Sequence, residues 1–124
     1  MSDVKSNFTF KKVKDTIVVY LSGTLDTKKS RDIEEDLEQI LTQFPNKNVL
    51  LNMKDLRYMS SSGLRVLVSL RSVLQETGYQ LKICNMGRNV REVFELTKVL
   101  QFFKIFEDEI SALEDREIED DDED

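Results

Sequence analysis

Three consecutive serines and a glycine, Ser60-Ser61-Ser62-Gly63, are the residues of this chain best placed to do chemistry. They lie between a β-type segment, Asn48–Met53, and a stretch of helical apolar spacing that starts at Leu64. A hydroxyl in that position can satisfy a free N–H group of the first helical turn. It can equally accept a phosphoryl group, because a helix N-terminus tolerates added negative charge. Asp26 and Asp55 form the second candidate set. Each follows a β-type segment, so both can lie along one edge of a sheet, where an acidic pair could hold magnesium and accept phosphate. The alternative for both is structural: Asp26 as a helix cap and Asp55 as a loop turn residue.

The rest of the chemical inventory is sparse. The sequence has no histidine, so the commonest general base and metal ligand is missing. The single cysteine, Cys84, excludes a multi-thiolate metal site and any disulfide within the chain. Its neighbours Leu81, Ile83 and Met86 mark it as a buried, reduced thiol. Neither a phosphate-binding Gly-x-x-x-x-Gly-Lys loop nor a Gly-x-Gly-x-x-Gly dinucleotide fingerprint occurs. No metal site and no cofactor is expected, and a binding module fits better than an enzyme.

The elements that must position these residues follow from hydrophobic periodicity. Phe8–Val13 and Thr16–Ser22 are β-rich, and Lys14-Asp15 between them suits a tight hairpin. Gly23 is expected to break the second strand, after which Asp26 or Thr27 can cap a helix. Ile33, Leu37, Ile40, Leu41 and Phe44 share one face of that helix, and Pro45-Asn46 stops it. Asn48–Met53 is a third strand. Leu64, Leu67, Val68, Leu70 and Leu74 make the apolar face of the next helix, which Gly78 ends. Tyr79–Cys84 is a fourth strand. Val90, Val93, Phe94 and Thr97 follow on a third helix. Phe102, Phe103, Ile105 and Phe106 suit a turn and a short last strand, and Ile110 with Leu113 a terminal helical turn. This order predicts one α/β domain with a mixed four- to five-stranded sheet and helices packed mainly on one side.

Charge divides the chain. Residues 114–124 hold nine acidic residues and one basic, a balance of −8, whereas residues 1–113 carry +2 of the total of −6. The tail has too little apolar surface to fold and reads as disordered, which leaves a domain over residues 1–113. No basic, aromatic-studded stripe points to nucleic acid. No apolar run approaches the ~20 residues a membrane span needs, and Met1–Phe10 lacks the pattern of a secretory signal. A cytoplasmic protein is expected.

Three motifs in order then resemble the STAS family, the sulfate-transporter and anti-sigma-factor-antagonist domain. Gly23-Thr-Leu-Asp26 resembles the family's Gly-x-Leu-Asp turn. Asp55-Leu-Arg-Tyr-Met-Ser-Ser-Ser-Gly-Leu64 resembles its Asp-x-x-x-(Met/Ile)-Asp-Ser-Ser/Thr-Gly-Leu segment. Phe94-Glu-Leu-Thr-Lys-Val-Leu-Gln-Phe-Phe103 resembles its late Leu-Thr-x-Leu…Phe stretch. The resemblance covers most of residues 8–113, and within the family the chain looks like a free-standing bacterial anti-sigma factor antagonist. It implies a partner switch. The unphosphorylated chain would bind an anti-sigma factor that is also a serine kinase, and would leave it once phosphorylated. A serine/threonine phosphatase would reset it. Ser62 matches the phosphoacceptor position, and Asp26, Ser60, Ser61, Gly63 and Arg65 would join it in the partner surface. Ser60 stands where the family has aspartate. Two other roles share parts of this pattern. One is a STAS subunit of a transporter or lipid-transport complex. The other is a phosphate receiver using Asp26 and Asp55, against which the early hairpin and the count of only three core βα units weigh.

Overall fold

The computed structural model describes residues 2–4 and 8–115. The chain runs β1 (Ser2–Val4), β2 (Thr9–Val13), β3 (Thr16–Leu25), α1 (Thr27–Gln43), β4 (Asn48–Met59), α2 (Ser61–Glu76), β5 (Leu81–Cys84) and α3 (Arg88–Leu96). A 3₁₀ turn at Leu100–Phe102, β6 (Lys104–Phe106) and α4 (Glu109–Glu114) complete it. The mixed α/β sheet holds the expected five strands and adds β1 at its edge, in the spatial order β1-β2-β3-β4-β5-β6. β1, β2 and β3 pair antiparallel, while β3, β4, β5 and β6 pair parallel.

Strand order decides where the helices go. Each βαβ step moves to the next strand in the same direction, and such crossovers are right-handed. So α1, α2 and α3 all land on one face. The alternation of β3 follows from this: Ile17, Val19 and Leu21 face the helices, whereas Val18 joins the other side. β4 and β5 repeat the pattern, with Val49, Leu51, Met53, Leu81 and Ile83 in the main core. Ile33, Leu37 and Ile40 of α1, Leu64, Leu67, Leu70 and Leu74 of α2, and Val90 and Phe94 of α3 fill the space above them.

Among the described residues, α4 is the helix that covers the opposite face. Ala112 of α4 packs there on Val18, Leu50 and Cys84 in a smaller cluster, with Leu113 and Phe106 alongside. Burial pushes the Cys84 thiol up to about 12, helped by the nearby charges of Glu109 and Asp108, so it is not a nucleophile at neutral pH. Glu109 binds this face by polar contacts. Its Oε1 accepts from Tyr20 Oη at 2.9 Å and from Asn52 Nδ2 at 3.0 Å, and its Oε2 pairs with Lys11 Nζ at 3.2 Å.

Several local expectations change. Gly23 does not end β3: it takes φ 75°, and the register against β4 shifts on both sides of it while pairing continues to Leu25↔Met59. A left-handed glycine here makes an irregular strand rather than a break. Asp55 accordingly lies in β4, opposite Ser22, and not in a loop. The outer half of β4 looked like a loop because β5 pairs only with Val49–Asn52, so Lys54, Asp55, Arg57 and Tyr58 are exposed. On α2, Val68 is 38% exposed and Val66 is buried in its place. On α4, Ile110 is 68% exposed while Ala112 and Glu109 face the sheet. Glu114 ends α4 and Asp115 bridges Lys82 Nζ at 3.3 Å and Lys104 Nζ at 3.1 Å, so both belong to the folded body. The remainder of the acidic segment, 116–124, lies outside the described residues. Among the described residues no helix is long and apolar enough to cross a membrane.

Candidate functional site

The C-terminal ends of the adjacent parallel strands β3 and β4 bring the two motif segments together. Leu25 and Met59 are paired in register, and each is followed at once by a helix. Asp26 caps α1, its carboxylate accepting from the Lys29 N–H at 2.9 Å. Ser60 caps α2, its hydroxyl accepting from the Gly63 N–H at 3.2 Å. The Ser60 N–H donates to the Leu25 carbonyl at 2.8 Å, which ties the start of α2 to the end of β3. Serine and aspartate cap helices about equally well. Ser60 therefore keeps the structural task of an aspartate while removing its charge.

With Ser60 committed to capping, Ser61 and Ser62 occupy the first turn of α2. Ser61 is exposed and Ser62 is half-buried. The Ser62 hydroxyl lies 3.2 Å from the Thr27 hydroxyl of α1, close enough for either to donate. No acidic residue occupies the first turn of α2, so the positive end of its dipole is uncompensated there.

Gly63 is buried, and its neighbours explain why it is glycine. A Cβ there would meet Met59 Cγ at 2.9 Å and Leu25 Cδ2 at 3.1 Å. The first turn of α2 thus rests directly on the strand ends, and Gly63 shapes the surface from beneath rather than contributing a contact to it. Arg65 is exposed on the same helix.

Asp26 and Asp55 form no acidic centre of the receiver kind. Asp26 is engaged in capping, and Asp55 sits on a strand opposite Ser22. Among the described residues no group of three or more His, Cys, Asp or Glu side chains could hold a metal ion. What the arrangement offers instead is an exposed hydroxyl-rich corner with cationic neighbours.

Sequence reasoning missed part of this corner. In the sequence Thr27 reads only as a cap, Arg31 only as one of a small basic cluster with Lys28 and Lys29, and Ser30 carries no reading. The offsets of Ser30 and Arg31 from Thr27, i+3 and i+4, place them on one helix face, as Ser62 and Arg65 share one on α2. That spacing was a readable signal. The meeting of the two faces was not, because it depends on how α1 and α2 pack.

Comparison with known proteins agrees with this geometry. The family model described as the STAS domain matches residues 7–112. The chain is 24% identical over 102 residues to the anti-sigma F factor antagonist of Paenibacillus polymyxa, covering 82% of this chain and 87% of that one. It is 28% identical over 95 residues to the anti-sigma-B factor antagonist of Bacillus subtilis, covering 77% and 80%. Among solved structures it resembles the anti-sigma factor antagonist SpoIIAA in its unphosphorylated form, with TM-score 0.74, 22% identity and coverage of 86% and 92%. SpoIIAA in its phosphorylated form gives TM-score 0.63 at 21% identity, covering 86% and 96%. A single mixed sheet with three crossover helices on one face, a capped serine turn over a glycine that only close packing explains, and a family match along nearly the whole described body lead to one conclusion: this chain belongs to the STAS domain family.

Proposed function

We propose that this protein is an anti-sigma factor antagonist in a partner-switching pathway, with Ser62 as its phosphoacceptor. The unphosphorylated chain binds an anti-sigma factor that is also a serine kinase, through Asp26, Ser60, Ser61, Ser62 and Arg65, and so frees the sigma factor. The kinase then transfers a phosphoryl group from its bound ATP. The Ser62 Oγ–phosphorus bond forms, the bond from the γ-phosphorus to ADP breaks, and the serine proton passes to a base on the kinase. The phosphorylated chain dissociates, and a serine/threonine phosphatase restores it by hydrolysis.

The observation that carries this reading is the division of labour in the serine run. Ser60 takes the cap, which leaves Ser62 half-exposed at a helix start that can hold added negative charge. The corner can therefore be phosphorylated with the domain still folded, and the change is felt by the partner. Phosphorylation adds about −1.5 to −2 charge to a small surface, and repulsion or desolvation there weakens an interface steeply. The antagonist relatives at 24% and 28% identity support the role.

The test is phosphopeptide mapping after incubation with ATP and the kinase captured by this protein from its native lysate. Wild type, Ser60→Ala, Ser61→Ala and Ser62→Ala are compared. Label should vanish in Ser62→Ala alone, and that variant should still bind the kinase. Label that persists in Ser62→Ala and disappears in Ser60→Ala would assign the acceptor to the wrong hydroxyl.

A further inference from the structure

We propose that the cleft between α1 and α2 is a receptor for a phosphate monoester, and that its occupant is the phosphoryl group carried by Ser62 itself. The inference rests on Ser62 being the phosphoacceptor, and it adds where the phosphate goes. The cleft has a volume of about 220 Å³, and its lining includes Thr27, Ser30, Arg31 and Glu34 from α1 and Ser62 and Arg65 from α2.

Three observations converge there. First, Ser30 is 1% exposed, yet its hydroxyl has no hydrogen-bond partner. A buried unsatisfied hydroxyl is unfavourable, and one that lines a cleft is a donor waiting for an acceptor. Second, Arg31 and Arg65 line the same cleft, and among the described residues neither guanidinium is in an ion pair. Against them stands one carboxylate, Glu34, so two cations face one anion. Third, Ser62 is already turned toward α1, since its hydroxyl lies 3.2 Å from that of Thr27.

A phosphoryl group on Ser62 would bring three acceptor oxygens to this set. Thr27 and Ser30 would donate from α1. Arg31 and Arg65 would supply charge-assisted bonds from both helices. Glu34 sets a limit on how much negative charge the cleft accepts. The consequence for switching is specific. In the unphosphorylated chain the two guanidiniums are available to an acidic partner. Once Ser62 is phosphorylated they are occupied within the molecule. The phosphate then acts by withdrawing positive charge from the docking surface, in addition to any direct repulsion.

The test installs phosphoserine at position 62 of the full-length chain by genetic encoding, so no kinase is needed. The second ionisation of the phosphate is followed by ³¹P NMR, in the folded protein and in the same protein unfolded in urea. The folded midpoint should lie about 1 unit lower, as for an anion beside cations. Arg31→Ala and Arg65→Ala should each recover part of that shift, and Ser30→Ala should recover less while leaving the unphosphorylated fold at least as stable. Equal midpoints in the folded and unfolded protein would overturn the proposal. A second arm titrates the unphosphorylated chain with inorganic phosphate and follows the amide signals of residues 62–65. A saturable shift at micromolar phosphate would make the cleft a site for a free phosphate compound and overturn the intramolecular assignment. Absence of kinase labelling at Ser62 would remove the biological source of the phosphate without altering this midpoint, so the two readings fail separately.

Discussion

Ser60 makes three bonds in the space of one residue: its N–H to the Leu25 carbonyl, its carbonyl from the Leu64 N–H, and its hydroxyl from the Gly63 N–H. Among the described residues, the Ser62 side chain makes one hydrogen bond, with Thr27. The two serines should therefore separate in a mutational series. Ser60→Ala is expected to cost about 1 kcal/mol through loss of the cap. Ser62→Ala removes one exposed hydroxyl pair and is expected to cost about 0.5 kcal/mol or less. Urea unfolding of both variants measures the difference, and a larger loss for Ser62→Ala would place the cap on the wrong serine. Gly63→Ala is a stronger test. The added methyl would sit 2.9 Å from Met59 Cγ, and overpacking of this kind costs about 1–3 kcal/mol. The serine run and its glycine were legible in the sequence because helix starts use few residue types. Which serine was the cap was not, because three adjacent hydroxyls can each serve until the path of β4 is known.

At the scale of elements, α4 shows what periodicity misses. A six-residue helix offers too few positions for a pattern, and its apolar Ile110 faces outward while the carboxylate of Glu109 faces the sheet. Burial alone would raise the Glu109 pKa, but the hydrogen bonds from Tyr20, Asn52 and Lys11 and the Lys11 charge outweigh it, and the net direction is down. The sign of the pH effect follows. A carboxyl that is more acidic when folded stabilises the fold in full above its ordinary value of 4.5, and that contribution is lost as pH falls through the folded value. Urea unfolding from neutral pH into acid should show wild type losing stability more steeply than Glu109→Gln, with the two converging at the acidic end. Parallel curves would mean that the carboxylate does not hold α4. By contrast α1 and α2 were readable from their apolar spacing, since each has enough turns to display a face. The one misplacement on α2, Val68 for Val66, reflects the second helix: Val66 is buried beside α1, a neighbour that a single-helix pattern does not contain.

For the whole molecule, the alternation of strand and helix was legible, and with it the single mixed sheet. The boundary of the body was less so, because composition marks acidity and not contacts. Asp115 belongs to the acidic run, but it holds Lys82 and Lys104. Removing residues 116–124 should leave the melting temperature unchanged, whereas removing 114–124 should lower it by a few degrees, read by circular dichroism. Equal melting of the two truncations would show that the Asp115 bridges contribute nothing. The strand order has a further consequence, for the time course of folding. Spatial neighbours in the sheet are also sequence neighbours, so each βα unit can add to the one before it with a short loop to close. The exception is Glu109, whose bond to Tyr20 spans 89 residues. It can close only after the chain has laid down every strand. Glu109 is then expected to form its bonds late, after the transition state. Its loss in Glu109→Ala should leave the refolding rate nearly unchanged and accelerate unfolding, so that this one carboxylate sets how long the native state lasts rather than how fast it forms.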